Sequence, residues 1–180
     1  MKTIKTYCYG IILLLCSINS CADPLMVQIP REVKYECGKK CKSINKVIFE
    51  LRAGNEFLDE RHMLPSIMPR FNNDFQKLIT DLKTDHKIKF NTGFRLDDST
   101  PNFNASDNEL KVFVVMKKDL CSTSKVYFEV VSMSVGSVGF RQFICNRKDS
   151  QCYEKTLSDI FEIYVVGYIK NSVAPYIHIN

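Results

Sequence analysis

Apolar positions recur along the chain with two different periods, and each switch between them marks an element. In residues 46–52, Val47, Phe49 and Leu51 alternate with Ile48, Glu50 and Arg52, which is the period of a strand, closed here by Ala53, Gly54 and Asn55. A helical period through Ile44, Ile48 and Leu51 fits the same stretch. Further on, Phe71, Phe75, Leu78 and Leu82 recur at helical spacing, with Ile79 widening the stripe. Ser66 is placed to cap this helix and Pro69 falls in its first turn, where a missing N–H costs little. The helix is expected to reach about Lys83, with Lys77 and Lys83 suiting the dipole at its end.

Residues 86–96 return to a period of two. Ile88, Phe90, Thr92 and Phe94 face one way and Lys87, Lys89, Asn91 and Arg95 the other, as in a strand with one wet face. Residues 97–108 are rich in Asp, Ser, Asn and Pro and read as the one long loop.

The densest apolar stretch runs from 110 to 169. Val112, Phe113, Val114 and Val115 are apolar on both sides of their strand, which predicts a central position. Residues 126–134 and 138–145 flank Gly136-Ser137, a hairpin signal. The last helix carries Leu157, Ile160, Phe161, Tyr164, Val165, Tyr168 and Ile169 on one stripe, and Asn171 and Pro175 are expected to stop it.

This order of elements predicts an α+β fold: a two-layer sandwich in which two helices pack on one face of a mainly antiparallel sheet. Small periplasmic accessory domains of bacterial envelope complexes share the general order, an analogy of fold that says little about activity. The expected organisation is a leader over residues 1–22, a cysteine-bearing lead-in over 23–45 and a single domain over 46–180.

The leader has three parts. Lys2 and Lys5 precede an apolar run of about 12 residues from Tyr7 to Ile18, followed by small residues at Ser20, Cys21 and Ala22. A membrane span needs about 20 residues, so this reads as an export signal rather than an anchor. Two cleavages compete. Ser20 and Ala22 suit a standard signal peptidase releasing the chain at Asp23. Ile18-Asn19-Ser20-Cys21 resembles a bacterial lipobox, which implies acylation of Cys21 and anchoring of the domain to the membrane. The expected location is the periplasm, the outer membrane by a lipid anchor, or the outside of the cell.

Of the eight cysteines, Cys8 and Cys16 leave with the leader. Export places the rest in an oxidising compartment where disulfides persist. Cys37 and Cys41 have three residues between them, unlike a redox or zinc-ribbon pair, and suit a local structural bridge. Cys145 and Cys152 flank the polar loop before the last helix, where a bridge fixes the helix's entry angle.

Charge and composition exclude more than they assign. The net charge of +5 falls to about +3 when Lys2 and Lys5 are removed, and the basic residues are spread among acids rather than gathered into a nucleic-acid footprint. Three histidines are too few and too scattered for a metal site. Asp97, Asp98 and Asp107 lack the spacing of a calcium loop, and no glycine elbow surrounds a serine. Asn104-Ala105-Ser106 matches a glycosylation acceptor that matters only in a eukaryotic secretory pathway.

These readings point to a non-enzymatic protein without cofactor or metal that works by contact, with a protein partner in an envelope complex. The expected contact surface is the wet face and loop around Lys87, Lys89, Arg95, Asp97 and Asp98.

Overall fold

The computed structural model describes residues 44–82, 87–97, 108–119, 122–134 and 137–173; of Ser134, residues 137–141, Ser172 and Val173 only the backbone is described. Two compact units divide the chain, Met1–Glu32 and Val33–Asn180, and every described residue belongs to the second.

That unit is α+β, with helices over one side of a five-stranded sheet. Its elements are β1 (Lys46–Ala53), α1 (Leu64–Ile67), α2 (Arg70–Asp81), β2 (Lys89–Leu96), β3 (Glu109–Lys118), β4 (Lys125–Ser134), β5 (Ser137–Asn146) and α3 (Ser150–Phe161). Spatial order in the sheet is β2-β1-β3-β4-β5. β3, β4 and β5 form an antiparallel meander, while β1 runs parallel to both β2 and β3. Parallel neighbours need a crossover, which the segment carrying α1 and α2 supplies between β1 and β2. Because β2 and β3 both parallel β1, Leu96 and Glu109 stand at opposite ends of the sheet, beside Ala53 and Lys46.

Period two decides the conformation of β1 in favour of strand. Val47, Phe49, Leu51 and Ala53 are buried on the helix side, while Ile48, Glu50 and Arg52 occupy the other. β3 lies between β1 and β4 and is buried on both sides: Leu110, Val112, Val114 and Met116 join the main core, and Phe113 belongs to a second cluster with Val131, Met133 and the half-buried Ile48.

The first helical region departs from the expected single helix. α1 is only one turn, and α2 begins after Met68 and Pro69. Proline has no N–H to donate back along the helix, so the bond ladder is interrupted at Pro69. Ser66 does not cap: its hydroxyl donates to the Met63 carbonyl at 2.5 Å. Nor does the last turn of α2 carry a basic side chain. Lys83 and His86 lie outside the described residues; Lys87 and Ile88 are described and precede the strand, so β2 begins at Lys89, later than the period of two suggests.

The predicted stripe of the last helix is buried at all seven positions, from Leu157 to Ile169. Beyond Phe161 the helix widens into π turns at Glu162–Val166 and Ile169–Val173, so it continues past Asn171. The Gly167 N–H bonds back to the Glu162 carbonyl, the i to i+5 spacing of such turns.

Phe161 packs among Phe49 of β1, Phe71 of α2 and Phe90 of β2, with ring centroids 5.0–5.9 Å apart. Phe75 stacks on Phe90 at 4.4 Å. Arg70 ties the start of α2 to α3, donating to the Glu154 carbonyl at 2.9 Å and to the Ser158 hydroxyl.

Candidate binding surface on the second sheet face

The side of the sheet away from the helices is built by parity. Side chains alternate across a strand, so the residues left over from the core row of each strand share this face. Register places Glu50 between Gly93 and Phe113, Arg52 between Arg95 and Val115, and Lys46 between Lys89 and Glu109.

Two carboxylates on this face each sit between two cations. Glu50 accepts from Arg52 Nε at 2.6 Å through Oε1 and pairs ionically with Arg95, whose Nε lies 3.1 Å from Oε2. Glu109 meets Lys46 at 2.7 Å and Lys111 at 3.2 Å. A third pair joins Lys117 to Glu129. Arg52 also lies over the Phe113 ring, 4.8 Å from its centroid, and 4.0 Å from Asp97. Glu50 and Arg52 are each only 9% exposed, so Coulomb attraction and the aromatic face act there with little screening. The Arg95 side chain, by contrast, is 65% exposed with Nε held by Glu50, which presents the rest of its guanidinium fork to solvent. A fixed fork of this kind suits two-point recognition of a carboxylate or phosphate.

The sequence-predicted surface residues divide on this map. Arg95 and Asp97 come together around Arg52, and Lys89 stands at the opposite end of β2 beside Lys46. Lys87 is exposed just ahead of β2. Asp98 lies outside the described residues, as do Cys21, Cys37 and Cys41. Glu50, Arg52, Phe113, Glu109 and Lys111 were not anticipated as members. The i, i+2 spacing of Glu50 and Arg52 was visible, but only the pairing of β1 between β2 and β3 brings them to Arg95 and Phe113.

A second polar cluster lies at the entry to α3. Cys145 and Cys152 are joined by a disulfide, with Cα atoms 5.8 Å apart. Within the loop they close, Asp149 caps the helix by accepting from the Cys152 N–H at 2.9 Å. Lys148 adopts a left-handed φ of 64°, and its N–H donates to the Tyr153 hydroxyl at 2.9 Å. Arg147 reaches Glu60, which is 2% exposed, and the Glu56 carbonyl. The hydrogen bond to Glu60 holds the Arg147 guanidinium above its usual pKa, while burial pushes the Tyr153 phenol up and keeps it neutral. A buried neutral phenol and an ion pair on one oxygen of a buried carboxylate hold structure in place.

Among the described residues, no group of three or more His, Cys, Asp or Glu is arranged to hold a metal ion, and no helix is long and apolar enough to cross a membrane. The fold and surface define a disulfide-stapled α+β domain with a charged second sheet face. Comparison of the chain with protein-family models, curated proteins and solved structures found no match.

Proposed function

We propose that this chain is an exported binding or assembly protein of the cell envelope, acting by contact rather than by catalysis. The observation that carries this reading is the second sheet face, where Glu50 and Glu109 each sit between two cations beside an apolar cluster. The apolar cluster itself is buried, and the charges open to solvent beside it, Arg95, Lys87, Lys89 and Lys117, have the composition of the polar rim of a protein contact surface. The Lys2 to Ala22 stretch supports export, and the resemblance of residues 18–21 to a lipobox supports an acyl anchor at Cys21.

A second reading is a soluble secreted binder or effector, favoured by Ser20 and Ala22 as small residues for cleavage ahead of Asp23. The intact mass of the native mature chain separates the two, because acylated Cys21 and free Asp23 termini differ by the lipid and two residues.

Contact is tested by crosslinking the exported full chain in its own cells and recovering it with its neighbours. A defined partner, captured by the native chain and lost from Arg95→Glu and Lys87→Glu variants of unchanged unfolding midpoint, is the expected result. Export with no crosslinked neighbour, or capture indifferent to both substitutions, would remove the reading.

A further inference from the structure

We propose that β2 is a self-association edge: two copies of the chain pair their β2 strands antiparallel, about a twofold axis passing at Gly93. β2 ends the strand order, and among the described residues no strand pairs with its outer side. The Lys89 N–H donates inward to the Asn45 carbonyl at 2.8 Å. In a parallel pair, alternate residues direct both backbone groups to the same neighbour. Odd-numbered residues of β2 therefore bond to β1, and Phe90, Thr92, Phe94 and Leu96 turn their N–H and C=O groups outward. Proteins blunt such edges with proline, bulges, very short strands or charged side chains, and of these devices β2 carries only the charges of Lys89 and Arg95. β2 has eight residues, no proline and an unbroken register against β1 from Lys89 to Leu96.

Two further features fit a second backbone. Phe90 and Phe94 are only partly buried and Leu96 is 40% exposed, so the helix-side row of β2 ends in an incompletely covered apolar ledge. Gly93 sits mid-strand although a Cβ there would meet nothing within 4 Å. The chain's own packing does not call for glycine at that position, and a glycine inside a strand costs stability. One recurrent reason for such a glycine is the close approach of another backbone.

Charge selects the register. Hydrogen-bonded pairs across the axis must join outward residues, so even positions face even positions. An axis at residue 92 would set Lys89 against Arg95 of the second copy, two like charges. An axis at residue 93 sets Lys89 against Asp97, Arg95 against Asn91, Phe90 against Leu96 and Thr92 against Phe94. An axis at residue 94 carries Phe90 past the end of the strand and forfeits a pair. Residue 93 thus gives opposite charges at both ends of the ladder and joins the two apolar ledges. The interface is isologous and closes on itself.

The test is sedimentation of the exported, oxidised full chain across a concentration series. A reversible dimer is expected. Lys89→Asp and Asp97→Lys each place like charges opposite one another twice, weakening the dimer by about tenfold, since cross-strand charge pairs are worth up to about 1 kcal/mol each. Combining the two substitutions restores the pairing to near the native constant. This rescue separates the ladder from any damage to the fold, because Asp97 also neighbours Arg52. A chain that stays monomeric up to millimolar concentration overturns the proposal, and so does a dimer that ignores both single substitutions or fails to recover in the double one.

Discussion

Arg147 Nε lies 2.7 Å from Glu60 Oε1, joining the turn before the last helix to the charged segment that follows β1. Glu60 is buried, and its Oε2 has no hydrogen-bond partner among the described residues, so Arg147 carries most of the compensation for a carboxylate removed from water. Removing one member of such a pair leaves the other charge stranded. Arg147 keeps 23% side-chain exposure, which lets water take over part of its role. Arg147→Ala should therefore destabilise the fold by about 2 to 3 kcal/mol, at or just below the roughly 3 to 5 kcal/mol of fully buried pairs. Urea unfolding reads this directly, and a change below about 0.5 kcal/mol would show that the pair is solvated.

The disulfide beside that pair closes a short loop, and in the chain-entropy picture a bridge of this size restrains the unfolded chain by about 2 to 3 kcal/mol. Replacing Cys145 and Cys152 together by alanine should lower stability by that amount and leave any other bridge intact, which a reducing agent would not. Because Asp149 caps α3 independently of the bridge, the helix signal in circular dichroism should survive below the new transition. Loss of helix before the main transition would mean that the bridge, and not the cap, holds the entry to α3.

Much of this architecture can be read from local pattern, and the parts that cannot share a cause. The period of two in Val47, Phe49 and Leu51, the two-sided apolar run from Val112 to Val115 and the stripe from Leu157 to Ile169 each reflect which face of an element meets the core. That relationship is written in neighbouring residues. The position of β1 between β2 and β3 is instead a property of how the connections route the chain, so the meeting of Glu50, Arg52 and Arg95 has no local signature. Glu60 was hidden for a different reason: the charged segment around it reads as solvated, and its burial depends on Arg147, a residue 87 positions away. The interruption at Pro69 was hidden because a proline in a first turn and a proline between two helices look alike in sequence.

Tyr153 gives a pH dependence with a definite sign. Its phenol is pushed above the ordinary value of 10.0, first by burial, so the folded chain holds this proton more tightly than the unfolded chain. The stability linked to it is complete below about pH 10 and is lost as pH rises through the folded value. Tyr153→Phe should cost about 1 kcal/mol at neutral pH, through loss of the acceptor for the Lys148 N–H, and should flatten the alkaline fall in stability relative to the native chain. Unfolding at pH 8, 10 and 11 compares the two; identical alkaline slopes would exclude Tyr153 as the group responsible.

Phe161 offers the sharpest measure of how the two layers are joined. Its ring meets Phe49 of the sheet at 5.5 Å, Phe71 of α2 at 5.0 Å and Phe90 of the edge strand at 5.9 Å. Truncation to alanine removes contacts to three elements at once and leaves a cavity among aromatic rings that relax poorly, so Phe161→Ala should destabilise the fold by about 3 to 5 kcal/mol. Phe161→Leu keeps much of the volume and should cost appreciably less. The order of the two matters more than either value: if leucine is as damaging as alanine, the specific contacts between the rings, rather than filled volume, hold α3 against the sheet.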